Sequence, residues 1–382
     1  MQSKNLYPQK TAEKHDNLDA WLTLYLTPGL GSAGCRKLVD FFGTPQQVLK
    51  TSRDQLLRVP GIRKNVVPLI NGPEARNAAE QELIKAQKAG ISILTIDDQN
   101  YPDLLRNIHD PPVLLYVKGD LNNLSRPCLG IVGSRAASTY GLEVAEKLAG
   151  QLAQRGLTIV SGLALGIDGA AHRGALKAKG HTMAVLGCGL DVVYPIQHRQ
   201  LYSDIPQAGA LISEYPLGTK PEGFRFPARN RIISGLSLGV LIVEAAKRSG
   251  SLITAHLALD QGREVFAIPG RVDSQKSEGT HRLLQEGAKL VQSVDDILEE
   301  LNIKCEVQFH NSISTLTNPE SLNQAEKKIL TLLDVYPKSI DEIIQETGLT
   351  VQKVNESLLL LELKGCIEVL PGKQYKRKIR SG

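Results

Sequence analysis

The stretch GTKPEGFRFPARNRIISGLS (218–237) carries Lys220, Arg225, Arg229 and Arg231 against a single acid, Glu222. Phe224 and Phe226 are interleaved with these cations, in a chain that has six Phe in all. Basic side chains follow a phosphate backbone, and an aromatic face stacks an unpaired base for ~1–3 kcal/mol. Stacking needs free bases, so the pattern favours single strands over duplex. A plainer reading stays open at this point: both rings enter the core and the arginines form surface ion pairs.

Other short stretches have similar chemistry. In GIVGSRAAS, Gly133, Ser134 and Arg135 follow an apolar run and Ser138 stands near a helix start. Glycine lets backbone approach a ligand, a helix N-terminus favours an anion, and Arg135 adds a fixed charge. In EAAKRSGSLITAH, Ser249, Gly250 and Ser251 open a helix beside Lys247 and Arg248, again an anion nest. Glu244 in that stretch is either an acid catalyst or a brace for Arg229 or Arg231. In SGLALGIDGAAHRGAL, Ser161 and Gly162 end an apolar run, and Asp168 and His172 stand four apart. That pair shares a helix face, but no third ligand stands at metal spacing, so local hydrogen bonding is the expectation. Gly187-x-Gly189 lacks the third glycine of a dinucleotide fingerprint, and no Walker lysine motif occurs. No metal and no cofactor are therefore expected.

All these stretches must be held by a scaffold. From Cys128 onward, seven short runs rich in Val, Ile and Leu are each followed by a helical segment: CLGIVG, LTIVSG, HTMAVLG, ALISEY, LGVLIVEA, EVFAIPG and KLVQS. Continuous apolar strands separated by helices imply a parallel sheet covered on both faces. Right-handed crossovers make it an α/β, extended Rossmann-like, doubly wound sheet, with ligands beyond the carboxyl ends of its strands. The phosphate-directed stretches above lie at those ends.

The flanks differ. Residues 1–16 read as a disordered tail and 17–78 as a small helical domain. Within it, TPGLGSAGCRKLVDFFG (27–43) and VPGIRKNVVPLI (59–70) echo each other. They resemble helix-hairpin-helix repeats, whose Gly-rich turns offer N–H groups to a phosphate; a plain helical bundle with glycine caps is the alternative. Residues 79–303 are expected to form the Rossmann-like domain, with a strand-like ISILTI near its start. Residues 304–320 read as a linker, 321–375 as a winged-helix-like domain and 376–382 as a basic tail. The reader helix of that domain, Thr350–Leu363, is close to neutral, with Lys353 and Lys364 against Glu356 and Glu362. This points to packing or protein contact rather than duplex reading.

Composition bounds the rest. The chain has 382 residues, with 42% hydrophobic and 22% charged, which excludes wholesale disorder and fibrous repeats. No apolar run has the ~18 residues a membrane span needs, and the polar start predicts no signal peptide. Five scattered cysteines form no C-x-x-C, so a reducing cytoplasm is expected. The net charge of +5 equals that of residues 371–382, which hold five Lys or Arg and no acid. The body is thus neutral overall, and Lys220–Arg231, with four bases and one acid, is a local focus.

Taken together, GSRxxSxYG, SGxAxGIDxxAHxxAL, GxTxAVLGxGLDxxYP, SExPxGxxPxxxxFPxRNRIIxGLS, VEAxxxSGSLIT and REVFAxPG, in that order, resemble the DNA-processing protein A (DprA/Smf) family. The resemblance is dense over residues 79–303 and extends to both flanking modules. It implies a non-enzymatic protein that binds and protects incoming single-stranded DNA. It further implies a role in helping load RecA recombinase in natural transformation, and a homodimer formed through the Rossmann domain. The DNA-contacting set it implies is Gly133, Ser134, Arg135, Ser161, Gly162, Lys220, Phe226, Arg229, Asn230, Arg231, Ser249, Gly250, Ser251 and Thr254. One departure stands out: the family usually has Asn where Thr280-His281 runs here. Two competing readings are a nucleotide-processing enzyme akin to LOG-type phosphoribohydrolases, whose PGGxGT loop is missing here, and a scaffold acting mainly through the winged helix.

Overall fold

The computed structural model describes residues 8–303, 323–333, 338–363, 366–370 and 374–377. The expected linker 304–320, Lys364 and the tail beyond Arg377 lie outside the described residues. The chain divides into two compact units, residues 1–306 and 307–382.

The first unit opens with helices α1 (Pro8–Tyr25), α2 (Gly31–Phe42), α3 (Pro45–Lys50), α4 (Arg53–Leu56) and α5 (Pro73–Lys88). Helix α1 starts at Pro8, so residues 8–16 are helical where a disordered tail was expected. Helix α3 begins with a reciprocal capping box between Thr44 and Gln47 and with Pro45 at its first turn.

Two strands follow, β1 (Ser92–Thr95) and β2 (Leu114–Gly119), separated by α6 (Asp103–Arg106). Then strand and helix alternate: β3 (Cys128–Val132), α7 (Thr139–Gln154), β4 (Thr158–Ser161), α8 (Ile167–Lys177), β5 (Thr182–Val185) and α9 (Arg199–Ala208). The series ends with β6 (Ala210–Ser213), α10 (Arg225–Leu236), β7 (Gly239–Ile242), α11 (Gly250–Asp260), β8 (Glu264–Ala267), α12 (Glu278–Gln285), β9 (Lys289–Leu290) and α13 (Val294–Glu300). All seven apolar runs form strands. The sheet order is β1-β2-β6-β5-β4-β3-β7-β8-β9. β3 to β9 run parallel, while β1 pairs antiparallel with β2, and β2 with β6. The chain winds outward from β3 to β6, then returns beside β3 as β7. The switch point therefore lies between β3 and β7, where an open α/β sheet leaves a crevice.

Every residue of β3 to β7 is buried, which explains their unbroken apolar character. The N-terminal helices do not stand apart from this sheet. Trp21, Leu24, Cys35 and Leu38 join one apolar cluster with Leu114, Tyr116, Leu186 and Leu211. The Trp21 indole N–H also donates to Asp97 at 2.7 Å.

The second unit holds α14 (Gln324–Leu332), β10 (Lys338–Ser339), α15 (Ile340–Thr347), α16 (Val351–Leu363), β11 (Ile367–Leu370) and β12 (Gln374–Arg377). Its three strands pair antiparallel in the order β10-β12-β11 around a core of Ile329, Ile343, Val354, Leu358 and Leu361. The three helices and closing ribbon match the expected winged helix, with β10 as an added strand. On α16, Lys353 is paired with Glu356 at 3.0 Å.

Candidate nucleic-acid interface

At the carboxyl ends of β3, β4 and β7 lies a cleft of about 770 Å³. Gly133, Ser134 and Arg135 leave β3 to form one wall. Arg248, Ser249, Gly250, Ser251 and Thr254 form the second, at the start of α11. Phe226, Arg229 and Asn230 of α10 form the third, with Ala164 and Asp168 at the start of α8. A smaller annex of about 70 Å³, reached past Phe226 and Tyr194, includes Gly162 and Cys188.

Three helices, α7, α8 and α11, begin at or just beyond the lining residues, and each N-terminus is a partial positive charge. Two are already occupied. Glu244, buried at the end of β7, accepts the Ser138 N–H at 2.9 Å and the Ser138 hydroxyl, and so sits on the start of α7. Gly141 makes room for it, since a Cβ there would lie 2.6 Å from the carboxylate carbon. Asp168 accepts the N–H groups of Gly162 at 3.1 Å and Ala164 at 3.4 Å at the start of α8. Burial pushes the Asp168 carboxyl above its usual range, and nearby Arg229 and these N–H groups oppose the rise. The third N-terminus, at α11, has only neutral caps: Ser249 accepts the Ser251 N–H, and the two hydroxyls are 2.8 Å apart. Beside Arg135 and Arg248 it is the seat left open to an external anion.

Arg229 is only 4% exposed. Its Nη1 donates to the Gly162 carbonyl at 2.8 Å and to the Val185 carbonyl, tying α10 to the ends of β4 and β5. A Cβ on Gly162 would lie 2.5 Å from this guanidinium, so only glycine fits the approach. Burial lowers the Arg229 pKa to about 10, with Asp168 opposing, and the group stays charged at neutral pH.

The aromatic residues divide. Phe226 is half-buried, stacked on Tyr194 with centroids 5.5 Å apart, and the Arg135 guanidinium lies 5.4 Å from its ring centroid. Phe224 is 69% exposed, with Arg225 5.2 Å from its centroid. Phe224 therefore presents the open stacking face, although Phe226 was the ring expected to hold the strand.

Ten residues of the expected set line the cleft, and Gly162 lines the annex. The other three are elsewhere. Ser161 is buried and donates to the Ile131 carbonyl at 2.6 Å. Lys220 is exposed outside the lining residues. Arg231 turns from the cleft to Glu214 and Asp110. Glu244 braces neither arginine, since Ser138 holds it. His172 bonds locally, its Nδ1 2.7 Å from the Thr182 hydroxyl. Burial pushes its pKa down to about 3, so it is neutral at working pH. Among the described residues no group of three or more His, Cys, Asp or Glu is placed to hold a metal. The residue at the unusual position, His281, has its Nε2 3.0 Å from the Gly270 carbonyl oxygen and so pins the Pro269-Gly270 loop. Tyr194 was missed as a cleft residue; its place in the GLDVVYP exit beside Phe226 was the available signal.

A doubly wound parallel sheet with a cleft at its switch point defines a Rossmann-type protein. A family model described as DNA recombination-mediator protein A matches residues 92–302, and one for the DprA winged helix domain matches 315–373. The chain belongs to the DprA/Smf family. Protein Smf of Synechocystis sp. is 36% identical over 94% of this chain and 98% of its own. The X-ray structure of DNA processing protein A from Streptococcus pneumoniae matches with a TM-score of 0.66 and 41% identity, covering 73% of this chain and 95% of that one. DNA processing protein A from Helicobacter pylori, solved for its single-stranded DNA binding mode, matches with a TM-score of 0.51 and 34% identity over 56% of this chain and 95% of that one. No helix among the described residues is long and apolar enough to cross a membrane.

Proposed function

We propose that this chain binds single-stranded DNA in the β3–β7 cleft. The observation that carries the reading is that Arg135 and Arg248 line the same cleft as the α11 start at Ser249–Ser251, whose caps are neutral, with Phe224 exposed on the basic segment 218–231. A phosphate takes the seat, and an unpaired base stacks on the exposed ring. The single-strand binding of the Helicobacter pylori relative supports this.

The wider role we infer is protection of incoming single strands and help in loading RecA recombinase during natural transformation, in the cytoplasm, by a homodimer joined through the Rossmann domain. Membership of a recombination-mediator family supports it. We read the action as non-enzymatic: Asp168, which lines the cleft, and Glu244, at the start of α7, are both held by backbone N–H groups. The test is fluorescence anisotropy with a labelled oligothymidine. Arg135→Ala should weaken binding about tenfold, as loss of one phosphate contact with its charge implies. Equal affinity would remove the cleft from the binding site.

A further inference from the structure

Between Thr27 and Ile70 the chain carries seven Lys or Arg and two Asp, an excess larger than that of the basic loop at the cleft. Residues 1–370 sum to zero charge, so the rest of that body is net acidic and this is its most cationic segment. Within it the two Pro-Gly turns meet. Arg63, after the second turn, donates its Nη2 to the Gly29 carbonyl of the first at 2.6 Å. Lys37, after the first turn, places its ammonium 2.9 Å from where a Cβ of Gly61 would stand in the second. Each turn is thus crowned by a cation from the other repeat. The turns use left-handed backbone at Gly29 (φ 79°), Gly31 (φ 68°) and Gly61 (φ 83°). Among the described residues, the N–H groups that follow, of Gly31, Ser32 and Ala33 and of Arg63, Lys64 and Asn65, meet no backbone acceptor outside their own element.

We propose that these paired hairpins form a second nucleic-acid surface that seats the phosphodiester backbone of duplex DNA, separate from the cleft. Lys37, Arg58, Arg63 and Lys64 are exposed, and of the neighbouring cations Arg36 alone is held by a carboxylate, Asp110, among the described residues. Exposed cations held by no carboxylate, set around open backbone N–H groups, select phosphate oxygens. Segments 27–32 and 59–66 contain no aromatic residue, so they offer nothing on which a free base could stack. Both turns are fixed within one folded unit, which suits the regular phosphate spacing of a double helix. The cleft takes the unpaired strand and the hairpins the adjoining duplex, as at a junction between the two.

The experiment measures binding of the full-length protein to a labelled blunt duplex and to the single strand of equal length, across a salt titration. The variant Lys37→Glu/Lys64→Glu alters two exposed side chains; Lys37→Gln/Lys64→Gln is the milder companion, and unchanged melting of either confirms the fold. Duplex affinity should fall about tenfold in the charge-reversed variant, with the log–log salt slope shallower by about 2, while single-strand affinity stays the same. Duplex affinity that is unchanged, or absent in the wild type, would overturn the proposal, as would an equal loss for both ligands. Arg135→Ala is the separating arm: it should lose the single strand and keep the duplex. If Arg135→Ala keeps both ligands, the cleft reading fails and the hairpin surface stands.

Discussion

Arg231 and Glu214 form a two-pronged ion pair, Nη1 to Oε1 at 2.9 Å and Nη2 to Oε2 at 2.6 Å, with side chains 13% and 7% exposed. Asp110 adds a third contact at 3.3 Å and is itself held by Arg36 of α2 at 3.6 Å. This chain of charges links the N-terminal helices to α10, the helix that carries Phe226, Arg229 and Asn230 into the cleft. Arg231 is thus a strut for the site rather than a contact within it. Arg231→Ala leaves Glu214 buried without its partner and should destabilise the fold by ~3–5 kcal/mol, read by urea unfolding. Once corrected for the unfolded fraction, single-strand affinity should stay near wild type. A selective loss of affinity with full stability would place Arg231 in the cleft after all.

Phe224 and Phe226 should separate in the same way. Phe224→Ala removes an exposed ring, so melting should hold while affinity for oligothymidine falls by ~1–3 kcal/mol. Phe226→Ala removes the stack with Tyr194 and the contact with Arg135, and should lower both stability and affinity. Equal affinity of Phe224→Ala and wild type would move base stacking to another ring.

His172 gives the fold a pH dependence. Its folded pKa, about 3, lies below the ordinary 6.5, so the unfolded chain binds the proton first. Stability from the neutral buried ring is complete above 6.5 and declines as pH falls from there toward 3, by about 1.4 kcal/mol per pH unit. Asp168 works in the opposite direction at the acid end, because its folded pKa is raised. His172→Gln should flatten the slope of unfolding free energy between pH 6 and 4, measured by urea titration at each pH. An unchanged slope would assign it to other groups.

Glu244 tests the non-enzymatic reading. Wild-type protein incubated with nucleoside monophosphates should release no free base on chromatography. Glu244→Ala removes the carboxylate from the start of α7 and should cost ~1–2 kcal/mol of stability. Base release by the wild type that disappears in Glu244→Gln would reinstate the phosphoribohydrolase reading.

Most of the sheet was legible because a strand buried on both faces must be apolar throughout, and CLGIVG, LTIVSG and LGVLIVEA are. The cleft was legible because Gly-Ser-Arg and Ser-Gly-Ser fall just beyond such runs. What stayed hidden was the direction of side chains on α10. Arg229 and Asn230 stand three and four beyond Phe226 and share its face, while Arg231 is five beyond it and points elsewhere. Helical spacing alone carries that distinction. The merger of Trp21 and Leu38 with the sheet was not legible, since an amphipathic helix does not name the surface it covers.

The most direct test of single-strand capture in the cleft is a salt titration of oligothymidine binding to wild type and Arg135→Ala. Each phosphate contact on a single strand contributes about −0.7 to the slope of log K against log salt. Wild type should show a steep slope, and the variant should be weaker with its slope shallower by about 0.7. Identical slopes and affinities for the two proteins would contradict the cleft as the DNA-binding site.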